Sequence, residues 1–266
     1  TGWHTKTPTL DQLFPDPVYF DYTQLNYFPE DPELRRINLI VYKYDPTNYG
    51  LLAARNFKWE VRGRAEWAGF GLSLGYFRED MTSYHVVSYL ADSGEVESKG
   101  TFQGYADSSA WARGQAWGVY GYTMCYRFTK QQNYLDAAHK IARFIIDHRP
   151  SENDYVPYWD YDAPVTKETP RDVSAASVTA SAMIELSTMI PDGQKYLDYA
   201  EKILKSLSSD AYLAKVGDNQ GFILMHSVGS LPNGSEIDTP LNYADYYYLE
   251  ALKRFMDLKG INYKDI

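Results

Sequence analysis

The sequence predicts an all-α protein built from helical hairpins that close into a ring, preceded by one β-hairpin. Five segments with helical periodicity follow residue 107, and they arrive in pairs with short joints. They cover about 108–128, 131–148, 172–189, 194–208 and 241–258. The segment NYLDAAHKIARFI at 133–145 resembles KYLDYAEKILKSL at 195–207, a displacement of 62 residues. A repeat of that length with two helices is typical of a helical-hairpin array, either an open solenoid or a closed toroid.

The connecting loops favour the closed toroid. The connections before the first helix of each pair are long and aromatic, at 101–107, 155–171 and 221–240, whereas those inside pairs are short. Long loops gathered at one end suggest a ring with its functional site at that mouth.

The β-hairpin is predicted over about 82–102. Its two strands, TSYHVVSYL and EVESKGTF, flank an Ala-Asp-Ser-Gly turn. Residues 1–76 contain repeated prolines and only short periodic runs, so short elements and loops are expected there. We expect residues 1–266 to form a single domain, with 1–76 as a divergent or truncated part and 77–266 as the toroid part.

Composition excludes several classes of function. A formal net charge of −9 argues against binding a long polyanion such as nucleic acid, but a local cation could still hold a small anion. No run of about 18 apolar residues indicates a membrane span. The single cysteine excludes an intrachain disulfide, and the five histidines show no metal-binding spacing, so no metal is expected. Aromatic residues make up 16% of the chain, which suits a cleft for ring-shaped polar ligands.

The start of the chain, TGWHTK, has neither a methionine nor a signal-peptide pattern. We therefore expect a processed chain or a fragment. Localisation and oligomeric state are unknown from the sequence, with the cytoplasm or periplasm of a bacterium as the expectation.

The stretch GYADSSAWARGQAW at 104–117 is the central motif. Asp107, Ser108 and Ser109 are favoured N-cap types, which predicts a helix starting there. Arg113 and Trp117 are four residues apart and would share one helix face. A guanidinium beside an indole suits a carboxylated sugar. The alternative is a packed helix with core tryptophans, and periodicity alone leaves both interpretations open.

Two further stretches carry candidate site residues. The loop VPYWDYDAP at 156–164 places Trp159 near two aspartates, a usual arrangement for gripping sugar hydroxyls, although it also describes an ordinary rigid surface loop. His85 on the hairpin and Gln103 just before the central helix would reach the end that carries Arg113 if the hairpin folds over the ring. A lone histidine on a strand is otherwise more often a packing residue.

The blocks SYHVV, GYADSSAWARGQAW, VPYWDYDAP, RDVSAAS and HSVGS…EID…NYADYYYLEAL, in this order, resemble glycoside hydrolase family 88, the unsaturated glucuronyl hydrolases. The resemblance covers about residues 77–266. It implies an (α/α)6 barrel with a pocket at its mouth and no metal or organic cofactor. It also implies an enzyme that removes the 4,5-unsaturated uronic acid from the non-reducing end of lyase-generated oligosaccharides. The expected partner is thus a small anionic oligosaccharide.

The resemblance also assigns roles to residues. Family members hydrate the C4=C5 enol ether: an aspartic acid protonates C4, water adds at C5, and the resulting hemiketal opens. Motif matches imply that His85 orients substrate or water, that Arg113 binds the substrate carboxylate and that Trp117 stacks on the sugar. Thr101 and Gln103 are implied substrate contacts, to which the loop analysis adds Trp159.

The general acid/base is expected to be Asp45 in YDPTNYGLLAARN, forty residues before His85, with Asp107 as the alternative carboxyl. Family members carry a second acid where this chain has Ser108. A closed ring of about twelve helices normally needs a longer chain, which leaves an incomplete barrel open. Two other functions remain open: a catalytically impaired sugar-binding remnant, and an unsaturated rhamnogalacturonyl hydrolase, whose helix is expected to read WARGNGW.

Overall fold

The computed structural model describes residues 77–78, 80, 82–89, 96–151, 153–262 and 264, which belong to one compact unit. In chain order the elements are β1 (Val86–Tyr89), β2 (Val96–Gly100), α1 (Ala112–Thr129), α2 (Gln132–Asp147), α3 (Val173–Ser187), α4 (Gln194–Leu207), a short 3₁₀ helix (Asn219–Gly221), β3 (Ser227–Ser230), β4 (Ser235–Thr239) and α5 (Asn242–Lys259). The five predicted helices are therefore present.

The predicted hairpin is confirmed in the strands β1 and β2, which pair antiparallel from Val86 opposite Gly100 to Tyr89 opposite Val96. The register shifts between Ser88 and Tyr89. A second small hairpin, β3 and β4, lies between α4 and α5. The predicted turn at 91–94 lies outside the described residues.

The predicted start of α1 is wrong by four residues. Asp107, Ser108 and Ser109 precede the helix, which begins at Ala112 with Trp111 in the N-cap position and no side-chain cap. The reason is competition from another loop, because the backbone N–H of Ala110 donates to Asp162 and that of Ala112 donates to the carbonyl of Trp159. These bonds satisfy the donors that a serine or aspartate cap would otherwise serve.

Helix α3 lies at the centre of the described helices and packs against α1, α4 and α5. Nearly all of its side chains are buried, and most are small: alanine, serine and threonine fill VSAASVTASA. Small side chains allow helix axes to approach closely on several sides at once. Asp172 caps α3 by accepting a hydrogen bond from the Ser174 N–H at 3.0 Å, and aspartate is a favoured residue at this position.

Helices α2 and α4, which contain the two copies of the sequence repeat, are amphipathic. Each buries one stripe, including Ile141 in α2 and Ile203 in α4, and exposes its charged face. Helix α2 packs on α1, and α4 packs on α3. Each repeat is thus a helix pair in which one member covers the other, as the 62-residue displacement predicted.

The three long loops meet at one end of the described helices. The amide of Gln103 donates to the carbonyl of Gly229 at 2.9 Å, and that of Asn233 donates to the carbonyl of Phe102 at 3.3 Å. Trp111 also forms an isolated antiparallel bridge with Asp160. This end carries the N-termini of α1 and α3, so the predicted gathering of loops at one mouth is confirmed. Within the described ranges, no helix combines the length and the apolar character needed to cross a membrane.

Candidate active site

The candidate site lies where the β1–β2 hairpin meets the start of α1. His85, immediately before β1, stacks on Trp111 with ring centroids 4.3 Å apart and planes inclined by 33°. The guanidinium carbon of Arg113 lies 4.5 Å from the centroid of the same indole. Trp111 therefore brings together the predicted histidine and the predicted arginine.

Trp111 was missed as a site residue because helical periodicity placed it on a different face from Arg113. That argument assumes helical backbone, whereas Trp111 has φ −58° and ψ 124°, outside the helix. This non-helical N-cap conformation leaves its ring against the guanidinium of Arg113. An N-cap assigned to Trp111, about one turn after Asp107, would have placed this residue outside the helix and removed the argument from helical periodicity.

His85 accepts hydrogen bonds at Nδ1. The Oγ1 of Thr101 lies 3.0 Å from it, and the backbone N–H groups of Phe102 and Gln103 point to it at 3.2 and 3.3 Å. Partial burial, followed by the positive charge of Arg113, lowers the pKa of His85 below its usual value of 6.5. Its ring is therefore biased towards the neutral form near neutral pH.

Arg113 is 3% exposed, and its charge is paired within the protein. Nη1 donates to the Asp172 carboxylate and to Ser174 Oγ at 2.9 and 3.2 Å, and also to the carbonyl of Val228. Nη2 donates to the carbonyl of Gly229 at 2.6 Å. The predicted role of Arg113 in holding a substrate carboxylate stays a prediction, but the free guanidinium fork that the sequence suggested is not what the structure contains.

Trp117 does not lie beside Arg113 in the described contacts but is 36% exposed within an aromatic cluster. Its ring lies 5.1 Å from that of Tyr247 and 6.4 Å from those of Tyr120 and Tyr243. Its exposure leaves it able to contact a ligand, so its predicted stacking role stays a prediction.

Tyr243, the second residue of α5, is a further site candidate. Its ring lies 6.4 Å from Trp117 and 5.7 Å from the guanidinium carbon of Arg113, and burial raises the pKa of its hydroxyl. The phenol thus connects the exposed indole to the buried cation. The sequence alone does not reveal this position, because a tyrosine-rich run does not show which member faces the loops.

Trp159 is 5% exposed and packs with Trp111, Ala163 and Val228 in a small core. Its backbone N–H donates to the carbonyl of Pro170, and its carbonyl accepts from Ala112. Its predicted sugar contact stays a prediction, but the geometry is that of a core residue beneath the loops.

Asp160, next to Trp159, is 1% exposed and ties two loops together. One carboxylate oxygen accepts from the Tyr105 N–H at 2.9 Å and from Ser109 Oγ at 2.7 Å, and the other from the Asp162 N–H at 2.9 Å. Burial raises the pKa of Asp160 despite these three donors. The aspartates of this loop, predicted as possible sugar ligands, bind the 101–110 segment instead.

Of the two carboxyls expected to act as general acid, Asp45 lies outside the described residues. Asp107 is exposed, and its Oδ1 accepts from the Thr101 N–H at 3.0 Å. Asp107 is thus two hydrogen bonds away from His85 by way of Thr101. Thr101 and Gln103 both belong to this network, since Gln103 contributes its backbone N–H to His85 and its side chain to Gly229.

Two cavities of about 490 and 350 Å³ border α4 instead of this end. Both include Tyr155 and Lys202 in their lining, and neither includes His85, Arg113 or Trp117. The candidate site is therefore identified from its residue types and from the loops that meet there, and not from the volume of these two cavities. Among the described side chains, no group of three or more His, Cys, Asp or Glu residues could hold a metal ion.

Curated proteins and solved structures with similar sequences are named unsaturated glucuronyl hydrolases or unsaturated chondroitin disaccharide hydrolases. The chain is 47% identical over 182 residues to an unsaturated glucuronyl hydrolase of Formosa agariphila, which covers 68% of this chain and 45% of the relative. It is 34% identical over 182 residues to an unsaturated chondroitin disaccharide hydrolase of Streptococcus pyogenes, covering 67% and 45%. No family model matches the chain.

A solved structure with a similar fold is an unsaturated glucuronyl hydrolase specific for heparin. It is 48% identical, with a TM-score of 0.69 over 85% of this chain and 59% of that one. This likeness confirms the predicted fold class, an (α/α)6 barrel. The chain spans about half the length of the curated relatives that it matches.

The sequence identity and the shared fold agree with the family resemblance of the sequence motifs. The chain belongs to the unsaturated glucuronyl hydrolases, glycoside hydrolase family 88.

Proposed function

We propose that this protein releases the 4,5-unsaturated uronic acid from the non-reducing end of oligosaccharides by hydrating the C4=C5 enol ether. The observation that carries the proposal is the stack of His85, Trp111 and Arg113 at the end where the loops gather. It supplies an oriented hydrogen-bonding group, an aromatic plate and a cation at the same place. The activity names of the relatives support the same reaction.

The reaction begins with protonation of C4 by a carboxyl group. The π electrons of the C4=C5 bond form the new C–H bond, and positive charge develops on C5 and the ring oxygen. Water then adds to C5 and returns its proton to the carboxylate, after which the hemiketal opens and expels the rest of the saccharide. We propose Asp45 as this acid and base, with Asp107 as the alternative.

Arg113 serves the substrate through its charge in this proposal. Asp172, Ser174 and the carbonyls of Val228 and Gly229 already accept from its two terminal nitrogens, so part of its hydrogen-bonding capacity is used within the protein. Its buried position strengthens its electrostatic effect on nearby groups. Burial lowers the pKa of His85, and the charge of Arg113 lowers it further.

Trp117 and Tyr243 provide the surface for the sugar ring. Trp117 is partly exposed, and the two rings are 6.4 Å apart at an angle of 46°. An apolar sugar face packs well on such rings, while the phenol hydroxyl can hydrogen-bond a sugar hydroxyl.

We propose glycosaminoglycan fragments as the substrate class. The relatives are named for glucuronyl, chondroitin and heparin substrates, which favours this class over rhamnogalacturonan fragments. The motif WARGQAW, in place of the WARGNGW expected for rhamnogalacturonyl hydrolases, points in the same direction.

The test is to incubate the full chain with unsaturated chondroitin and heparin disaccharides and to follow the ultraviolet absorbance of the enol ether. Loss of the band, with release of the saturated partner sugar, is the expected result. Binding measured by calorimetry without any decay of absorbance would refute catalysis and identify a sugar-binding remnant. A saturated disaccharide is the matched control and should show no change in absorbance.

A further inference from the structure

The hydrogen bonds around His85 indicate which of its two ring nitrogens carries the hydrogen. Three donors converge on its Nδ1: the hydroxyl of Thr101 and the backbone N–H groups of Phe102 and Gln103. A backbone N–H can only donate, so a hydrogen on Nδ1 would face two other hydrogens. Nδ1 must therefore present its lone pair.

The hydroxyl of Thr101 has its direction fixed by a second contact. Its Oγ1 accepts from the N–H of Gly104 at 2.7 Å, so its own hydrogen is left for His85 Nδ1 at 3.0 Å. The backbone N–H of Thr101 donates to Asp107, which holds the residue from the other side. Thr101 thus uses its hydroxyl and its backbone N–H within the protein. Its place in the site is to support His85 more than to touch substrate.

We propose that Thr101 is a positioning residue that, together with the N–H groups of Phe102 and Gln103, holds His85 as a neutral imidazole with its hydrogen on Nε2. His85 then acts towards ligand only as a hydrogen-bond donor. It cannot take a proton from water, because its acceptor nitrogen is occupied on the protein side. This inference rests on the proposed function for its catalytic meaning, and it assigns all proton transfer in the hydration step to a carboxyl group.

Other groups near the ring agree with a neutral imidazole. The indole of Trp111 covers one side, and the nearby charge that affects His85 is the cation of Arg113. The one described carboxylate in this hydrogen-bond network, Asp107, contacts the Thr101 backbone and not the ring. A neighbouring carboxylate on the ring would have favoured the charged imidazolium instead.

The tautomer can be read directly by long-range ¹H–¹⁵N correlation NMR of the uniformly labelled full chain, with His85→Gln to assign the signals. His85 should show a protonated Nε2 and an unprotonated Nδ1. His148 is an internal contrast, because its Nδ1 lies 2.8 Å from the carbonyl of Phe144 and must donate. A wild-type spectrum with the His85 hydrogen on Nδ1 would overturn the proposal.

Two substitutions test the part played by Thr101. Thr101→Val removes the hydroxyl at similar volume. We expect the ¹⁵N resonance of Nδ1 to shift because its shortest hydrogen bond is lost, while the N–H groups of Phe102 and Gln103 still keep the hydrogen on Nε2. Thr101→Ser keeps the hydroxyl and should restore the wild-type spectrum. An unchanged Nδ1 resonance in Thr101→Val would remove Thr101 from this role; if that variant does not fold, the wild-type and Thr101→Ser spectra still decide the tautomer.

Steady-state kinetics measure how much the hydrogen bond from Thr101 to His85 contributes to turnover. Thr101→Val should lower kcat about tenfold or more with KM changed less than about threefold, since the donor is misplaced while the sugar-binding surface remains. The NMR measurements need no turnover. A chain with the expected tautomer that fails to consume any unsaturated disaccharide would therefore refute the proposed function and leave the hydrogen-bonding inference intact.

Discussion

Arg113 on α1 and Asp172 at the N-cap of α3 form an ion pair of 2.9 Å whose side chains are 4% and 0% exposed. Asp172 also accepts from the N–H and the hydroxyl of Ser174, so one carboxylate caps α3 and neutralises the arginine. The pair joins the two helix starts on which the candidate site stands. It therefore couples the stability of the helix packing to the geometry of the site.

Replacing Asp172 with asparagine should destabilise the fold strongly. Asparagine remains a good N-cap, but it leaves the Arg113 charge buried without a counter-ion, which costs about 3–5 kcal/mol. Urea unfolding followed by circular dichroism measures this loss. The matched control is Asp257→Asn, which removes an exposed pair with Lys253 and should change stability by less than about 1 kcal/mol.

The double variant Arg113→Met with Asp172→Asn sharpens this prediction. Removing both charges should be less destabilising than the sum of the single changes, because no unpaired charge is left in the core. Additive single and double effects would show that the pair is not coupled in the way its burial indicates.

Trp117→Ala and Trp159→Ala should separate ligand contact from core packing. Trp117 is 36% exposed, so its loss should raise KM about tenfold, equivalent to about 1.4 kcal/mol, with little change in the unfolding midpoint. Trp159 is 5% exposed, and its truncation should cost about 3–5 kcal/mol of stability. Disaccharide kinetics and thermal unfolding of both variants check this. An unchanged KM in folded Trp117→Ala would remove the indole from the sugar-binding surface.

Gly104→Ala should disturb the hydrogen bond between Thr101 and His85 and does not change the charge of the protein. A Cβ on Gly104 would lie 2.7 Å from Thr101 Oγ1 and 3.1 Å from an Asp160 carboxylate oxygen. Such overpacking costs about 1–3 kcal/mol, and here it also pushes on the hydroxyl that faces His85. We expect kcat to fall at least about tenfold, measured on an unsaturated disaccharide at a temperature where the variant is folded.

Gly121→Ala is the control for this change. A Cβ at Gly121, in the middle of α1, meets no atom of the described residues within 4 Å, so alanine should stabilise the helix by about 0.5–1 kcal/mol and leave kcat unchanged. Equal losses of activity in the two variants would show that the loss at Gly104 does not come from the local clash.

The sequence predicted the helix pairs well because periodic burial is a local signal, as in α2 and α4. It also predicted that loops meet at one end, since loop lengths alternate along the chain. It could not predict that Asp172 pairs with Arg113, because this contact joins residues 59 positions apart and depends on how α1 and α3 pack. An N-cap aspartate and a helical arginine each have ordinary local explanations.

The same limit applies to Trp111 and Trp159. Both tryptophans lie among residues typical of sugar sites, and residue type cannot tell a buried indole from an exposed one. Both are buried in one small cluster because the 155–171 loop, to which Trp159 belongs, pairs its backbone with the start of α1. Non-local pairing of this kind leaves no periodic trace in the sequence.

The last prediction concerns Asp160, whose pKa is raised above its usual 3.8 by burial. The folded state holds the proton more tightly than the unfolded state, so this group's contribution to stability is fully present below about 3.8. The contribution is lost as pH rises through the raised pKa of the folded protein. Asp160→Asn lacks this titration, and its amide nitrogen must face a donor that the carboxylate accepted, at a cost of about 1–3 kcal/mol.

The difference in unfolding free energy between wild type and Asp160→Asn should therefore be largest at acidic pH and shrink as pH rises past the raised pKa. Urea unfolding of both proteins across this range measures it, and taking the difference cancels the other titrating groups that the two proteins share. A difference that grows with pH would mean that the three donors to Asp160 outweigh its burial and hold it as a carboxylate. Asp160 would then act as a charged link between the loops, with its pKa lowered instead of raised.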